Sequence, residues 1–349
     1  MSAASVGAEN YDRGTAVADR GAFPVRRRLP LAAVVAIAAL VPLFGSATAR
    51  ADSEITEPAR LMQTDTYVLH SAISARDYRI SVARPPGVSL TGSTKLPLAI
   101  LLDADELFGV ATDTVRLLQD YDDLPPLLLV GIGYPIGSLA ESIGPRSNDF
   151  TPAVDRPFEE LIGALTGSQE AVSTGGAATF LRFIREELKP FIATHYPVDP
   201  KDTALIGHSL GGMFGLYVLL HQPETFQRYI IGSPCLTCGG SDLFAREAAY
   251  ASSHKDLNAR LYMDVGSEEA DVRRILHIPP EKRAAEQRYL AAIGAPNSVM
   301  QFRRFTSKLR SRQYPHLHLA AVVEPGETHE SLPPILLSRG LRFVYSASH

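Results

Sequence analysis

Gly207-His208-Ser209-Leu210-Gly211 stands between two apolar runs of different kinds. Before it, Ala204-Leu205-Ile206 reads as a buried strand. After it, Met213 to Leu220 reads as a buried helix stopped by Pro223. A G-x-S-x-G between a strand and a helix is the context of a nucleophile elbow. The glycines are needed because the turn leaves no room for Cβ atoms on either side of the serine. Such a turn lifts the Ser209 hydroxyl to the carboxyl edge of a sheet. It also sets it at a helix N-terminus, where the dipole favours developing negative charge.

The rest of the chain is compatible with that sheet. Tyr67-Val68-Leu69 and Tyr78-Arg79-Ile80-Ser81-Val82 read as an antiparallel pair around a turn at Ser74 to Asp77. Leu98 to Leu102 and Leu127 to Ile132 are continuous apolar runs, as expected for strands buried on both faces. Tyr229-Ile230-Ile231, Leu261 to Val265 and Leu319 to Val323 continue the series. Phe180, Phe183, Ile184, Leu188, Phe191 and Ile192 mark a helical stripe, which Pro190 should kink near its end. Pro334 to Tyr345 reads as a last helix with proline at its start. Strands alternating with helices predict an α/β fold with a mostly parallel central sheet and helices on both faces. Residues 133–176 are rich in Gly, Pro, Ser and Asp and show little periodicity. They read as a long insertion, or lid, over the carboxyl edge of the sheet.

The first 51 residues read differently. Arg26-Arg27-Arg28 precede an uncharged apolar run from Leu29 to Phe44, followed by Ala49-Arg50-Ala51. Positive flank, apolar run and an A-x-A site predict a secretory signal cleaved before Asp52. The run is short for a membrane span and carries Pro30 and Pro42. A single domain over 52–349, periplasmic or secreted and without a stable membrane span, is the expectation. Cleavage takes Lys plus Arg from 34 to 28 and Asp plus Glu from 38 to 35, leaving a net charge of −7. That charge argues against a nucleic-acid partner. In an exported chain, Cys235 and Cys238 read as a short-loop structural disulfide rather than a redox pair, and further ligands for zinc are missing.

A serine nucleophile needs a base, and in this architecture the order is Ser, acid, His. His329, in Glu324-Pro325-Gly326-Glu327-Thr328-His329, follows a late strand and precedes the last helix. His208 lies inside the elbow and reads as structural. His316 and His318 alternate at a strand entry and find no third metal ligand. The acid should follow the strand Leu261 to Val265, where Glu268, Glu269 and Asp271 are available. Glu269 is preferred, with Asp271 and Glu268 behind it. The oxyanion would be held by the Leu210 N–H and by an N–H of Ala104 or Asp105, in the stretch Asp103 to Phe108 read as a loop.

Leu101-Leu102-Asp103-Ala104-Asp105, Arg146-Ser147-Asn148-Asp149-Phe150-Thr151-Pro152, Gly207 to Gly212, Ser233-Pro234 and Gly326-Glu327-Thr328-His329 together resemble the putative esterase family. That family includes periplasmic enterochelin esterases, S-formylglutathione hydrolases and mycolyltransferases. The nearest likeness is to its siderophore-esterase branch, over roughly residues 60 to 345. The resemblance implies an α/β-hydrolase fold, Ser209 as nucleophile, His329 as base, Glu269 as acid, and Arg146 near the substrate. The alternative for Arg146 is a loop-ordering pair with Asp149. The chain departs from the family at Ala104, where glycine is usual, and at Cys235-Leu236-Thr237-Cys238, where aromatics are usual. The expected activity is hydrolysis of a small-molecule ester through an acyl-enzyme, with no cofactor or metal. Acyl transfer from the same intermediate and non-catalytic ligand binding are the rivals.

Overall fold

The computed structural model describes residues 60–89, 94–167, 172–238, 242–271, 280–294 and 297–346. The expected secretory signal over residues 1–51, with its cleavage before Asp52, lies outside the described residues. Strands β1 (Thr64–Ser71) and β2 (Arg76–Ala83) form an antiparallel hairpin with Ser71 opposite Arg76. β3 (Leu96–Leu101), α1 (Ala104–Asp120), β4 (Leu128–Gly133), α2 (Leu139–Phe150) and α3 (Arg156–Thr166) follow. Next come α4 (Ala177–Phe183), α5 (Lys189–His195), β5 (Val198–His208), α6 (Leu210–His221) and β6 (Arg228–Gly232). α7 (Leu243–Ser253), β7 (Ala259–Gly266), α8 (Arg283–Ile293), α9 (Ser298–Ser311), β8 (Leu317–Glu324) and α10 (Pro333–Tyr345) complete the order.

The eight strands form one sheet in the order β1-β2-β4-β3-β5-β6-β7-β8. β2 pairs antiparallel with both neighbours, and every other pairing is parallel. This is the α/β-hydrolase fold. One face of the sheet carries Phe150, Phe180, Phe183 and Phe214. The other packs on α1 and α10 through Phe108, Val115, Leu336 and Leu341. Every residue of α6 from Leu210 to Leu220 is buried, so it is apolar all round rather than amphipathic, as a helix wedged into the core must be. No helix among the described residues is long and apolar enough to cross a membrane.

The kink expected at Pro190 takes the form of a π turn, Ile184–Leu188, joining α4 to α5. Proline has no N–H to donate and its ring presses on the carbonyl one turn earlier, so the ladder widens there. Two expectations are corrected. Asp103 to Phe108 is not a loop, because α1 begins at Ala104. Asp105 and Glu106 lie in its first turn, where acidic groups favour a helix start. Among the described residues of 133–176, α2 and α3 replace the expected irregular chain. Asp155 caps α3 by accepting from the Phe158 N–H at 3.1 Å, and left-handed Gly167 (φ 63°) ends it.

Candidate active site

Ser209 sits at the end of β5 with φ 60° and ψ −120°, a strained conformation for a residue with a side chain. Its N–H donates to the Gly232 carbonyl at 2.9 Å, and its own carbonyl accepts from Met213 N–H at 3.0 Å. The neighbouring glycines are explained by close approach. A Cβ at Gly207 would lie 2.3 Å from the Gly211 carbonyl oxygen, and one at Gly212 would lie 2.8 Å from the Gly232 oxygen. Leu210 opens α6 and Ala104 and Asp105 open α1, so all three N–H groups belong to first helical turns without an intrahelical acceptor.

β7 ends at Gly266 and a 3₁₀ turn, Ser267–Ala270, carries Glu269 into the interior. One Glu269 oxygen accepts from the Gly266 N–H at 2.8 Å and from the Ser233 hydroxyl. The other bonds His329 Nδ1 at 2.8 Å. Of the three carboxylates weighed in the sequence, Glu269 is the one bonded to His329 among the described residues. The loop carrying His329 is latched to the same turn. Gly326 N–H donates to the Ser267 hydroxyl at 2.9 Å, and Glu268 N–H donates to the Glu327 carbonyl at 3.0 Å. An ionised Glu269 accepts only, so the ring proton belongs on Nδ1 and Nε2 keeps its lone pair. No hydrogen bond joins Ser209 to His329 in this arrangement. Contacts of that kind often tighten only with substrate bound.

Ser209, Glu269, His329 and Arg146 line one cavity of about 410 Å³. Its walls are largely apolar: Ile143 from α2, Phe158 and Ile162 from α3, Tyr289 from α8 and Phe302 from α9. The Cys235–Cys238 disulfide, with Cα atoms 5.7 Å apart, forms another wall. α9 is tied to α7 by Arg312, which grips buried Glu247 through two hydrogen bonds of 2.6 and 2.9 Å. A hollow of about 840 Å³ lies beside Arg76, Tyr134 and Gly144 and is lined by none of the four.

Arg146 does not pair with Asp149, which corrects that alternative. It forks onto Asp103, Nε to one oxygen at 2.6 Å and Nη2 to the other at 3.0 Å, and stacks over Phe150. Asp149 instead accepts from the hydroxyls of Tyr78 and Tyr134 at 3.0 and 3.1 Å. The Asp105 side chain is tied away from the cavity, accepting from Tyr134 N–H at 2.9 Å and pairing with Arg79. His316, weighed as a metal ligand, bonds Asp256 at 2.5 Å. Among the described residues no group of three or more His, Cys, Asp or Glu side chains is placed to hold a metal.

Ser233 was not singled out as a functional side chain in the sequence, although Ser233-Pro234 follows a strand end at the same sheet edge. Tyr289 and Phe302 carried no sequence signal, since α8 and α9 are ordinary surface-rich helices away from any motif.

Asp264, on β7, is fully buried. Burial, then the nearby Glu324 and Glu269 carboxylates, push its pKa up to about 8, while Arg339 opposes the shift. The unfolded chain releases this proton near the usual carboxylate range, whereas the folded chain keeps it until about pH 8. The unfolded state therefore binds fewer protons between those values, so this group lowers stability as pH rises through that window, with no further loss above it. Asp264→Asn should remove the decline. In urea titrations its stability relative to the native chain should grow from near zero at pH 4 to a few kcal/mol (on the order of) at pH 8. A pH-independent difference would contradict the assignment.

Comparison with known proteins gives a consistent picture. A family model described as "Putative esterase" matches residues 71–311. The chain is 30% identical over 285 residues to ferri-bacillibactin esterase BesA of Bacillus subtilis, covering 80% of this chain and 89% of that one. It is 33% identical to a siderophore enterobactin esterase of Emericella nidulans, covering 60% of this chain and 73% of that one. Among solved structures, the BES protein from Bacillus cereus superposes with a TM-score of 0.64 at 26% identity, covering 84% of this chain and 99% of that one.

Proposed function

Because the chain belongs to the putative esterase family, we propose that it hydrolyses carboxylic esters through an acyl-enzyme formed on Ser209. Ser209 Oγ attacks the ester carbonyl as His329 Nε2 takes its proton. Glu269 holds the imidazole by Nδ1 and stabilises the imidazolium that forms. The tetrahedral oxyanion is met by the Leu210 N–H and by an N–H of Ala104 or Asp105 at the facing helix start. His329 then protonates the departing alcohol, and later removes a proton from the water that releases the acid. The observation that carries this reading is the 2.8 Å Glu269–His329 bond on the cavity that Ser209 also lines.

The substrate class is siderophore-like esters. Relatives in a bacterium and in fungi bear siderophore-esterase names. The apolar cavity suits one acyl arm rather than a whole multi-armed chelate. Arg146, fixed by Asp103, presents the edge of a guanidinium to the acyl or hydroxyl oxygens of such an arm. The test is turnover of p-nitrophenyl butyrate and of siderophore esters, with labelling of Ser209 by a fluorophosphonate read by mass spectrometry. Turnover with a label on Ser209 supports the reading. Inactivity together with an unlabelled Ser209 overturns it. Residues 1–51 act in export, so the chain recovered outside the cytoplasm should begin at Asp52. Recovery of an intact Met1 start there would refute that.

A further inference from the structure

Three polar atoms behind the Glu269–His329 pair are buried without a hydrogen-bond partner among the described residues. They are His208 Nδ1 and both carboxyl oxygens of Asp264. Their placement follows from sheet register. His208 on β5 is opposite Gly232 on β6, and Gly232 is opposite Asp264 on β7. Because the middle residue lacks a side chain, the outer two reach over it. A Cβ at Gly232 would lie 2.5 Å from Leu336 Cδ2, 2.9 Å from His208 Nδ1 and 3.3 Å from Asp264 Oδ1, so the two polar side chains meet the same glycine beside a leucine methyl. Leaving three such atoms unmatched would be costly, and both side chains flank the same glycine.

The matching of donors and acceptors also has a direction. The His208 ring packs on the His329 ring with centroids 4.4 Å apart. The His329 backbone beside it favours its protonated form. Nδ1 is the unpartnered ring nitrogen, and with the proton of the neutral ring on Nε2 it offers a lone pair. Burial, then His329 and Arg146, hold the His208 pKa well below its ordinary value, so the ring is neutral. A lone pair needs a donor, and a protonated Asp264 across Gly232 can supply one.

The geometry points to Asp264 and His208 as a hydrogen-bonded pair behind the dyad, in which the Asp264 carboxyl donates across Gly232 to His208 Nδ1, after a small side-chain movement or through one buried water, and holds the ring neutral against His329. Asp264 and His208 are then positioning residues. They touch neither substrate nor the reacting atoms. Their effect comes through His329, which must become an imidazolium during acyl transfer. A neutral His208 tolerates that charge. A protonated His208 would oppose it at 4.4 Å.

The groups facing the pair come from several elements. Glu324 on β8 is neutralised by Arg339 of α10 at 2.7 Å and accepts from the Tyr262 hydroxyl at 3.2 Å. Glu269 lies beyond β7, His329 beyond β8, and Arg146 on α2 acts on His208 from the cavity side. The carboxylates favour keeping the proton on Asp264, and Arg146 disfavours one on His208. Raising the pH until Asp264 ionises replaces its donor by an acceptor. The lone pair of Nδ1 is then repelled, or His208 takes up a proton, and either result slows the reaction.

The kinetic arm of the test rests on the serine-esterase reading, and the spectroscopic arm does not. Full-length protein, its Asp264→Asn and Asp264→Leu variants are assayed on p-nitrophenyl butyrate from pH 5 to 9.5. The native chain should lose kcat/KM in an alkaline limb near pH 8, with KM little changed. Asp264→Asn keeps a donor that does not ionise, so it should hold kcat at pH 7 within about threefold and lack the limb. Asp264→Leu should lose about tenfold in kcat at pH 7. ¹⁵N NMR of the imidazoles should find His208 as the neutral Nε2–H tautomer from pH 5 to 7.5. An alkaline limb unchanged in Asp264→Asn, or a His208 ring carrying its proton on Nδ1, would overturn the pair. If the native chain turns over no ester, the tautomer still decides it.

Discussion

Ser209→Ala is expected to lower kcat/KM on p-nitrophenyl butyrate by ~10³-fold or more, and His329→Ala to do the same. The two losses should not add. Once either member is gone the proton-coupled attack is gone, so the double variant should be no slower than the worse single one. Some residual rate should survive, because the amide donors at the starts of α1 and α6 remain in place. Neither change should unfold the chain. Ser209→Ala keeps a Cβ at the strained φ of 60°, so it neither adds nor relieves backbone strain. His329 stands on a loop latched through Ser267, Gly326, Glu268 and Glu327 as well as through the Glu269 bond of its own ring, so the latch survives loss of the ring. Circular dichroism and urea midpoints should therefore stay close to native. Loss of turnover with matching loss of structure would mean a folding effect. Full turnover in either variant would remove the serine mechanism altogether.

The sheet was legible because its signals are local and strong. Leu98 to Leu102 and Leu127 to Ile132 are continuous apolar runs of strand length, as strands covered on both faces require, and Leu261 to Val265 is broken only by Asp264. The elbow was legible because tight approach, as at Gly207 and Gly212, admits no side chain, and that demand is written in the residues themselves. The helices of residues 133–176 were not read from composition, although α3 announces itself by Asp155 at its cap, Pro157 in its first turn and Gly167 past its end. Composition averages over such punctuation. α2 offered less, since Pro145 lies inside it. The stretch from Asp103 reads as loop from its place after the strand Leu98 to Leu102, where an oxyanion donor is expected, whereas its acids mark a helix N-terminus. The partner of Arg146 was misjudged for a different reason. Asp149 is three residues away, but Asp103 is brought in from another strand end, and no sequence spacing reports that. Tyr289 and Phe302 are of the same kind, since their role depends on which helices roof the cavity.

Glu269→Gln should cost ~10²–10⁴-fold in kcat while leaving KM within a few fold, because its effect is on which nitrogen of His329 holds the proton. One oxygen of Glu269 accepts two bonds, from Gly266 N–H and the Ser233 hydroxyl, and the other faces His329 Nδ1. A glutamine has one accepting oxygen, and the two donors claim it. Its NH₂ then points at Nδ1 and demands a lone pair there. The proton moves to Nε2, which can no longer accept from Ser209. The fold has no comparable reason to fail, since volume and hydrogen bonds are kept. Glu268→Gln and Asp271→Asn should stay within about threefold of native, since the carboxylate hydrogen-bonded to His329 is that of Glu269. ¹⁵N NMR gives the same contrast without turnover. The His329 proton should sit on Nδ1 in the native chain and on Nε2 in Glu269→Gln. A large loss in Asp271→Asn with Glu269→Gln near native would transfer the acid's role to Asp271. Near-native rates in all three would mean that Ser209 and His329 work as a dyad, with Glu269 serving only to hold the turn between β7 and the His329 loop.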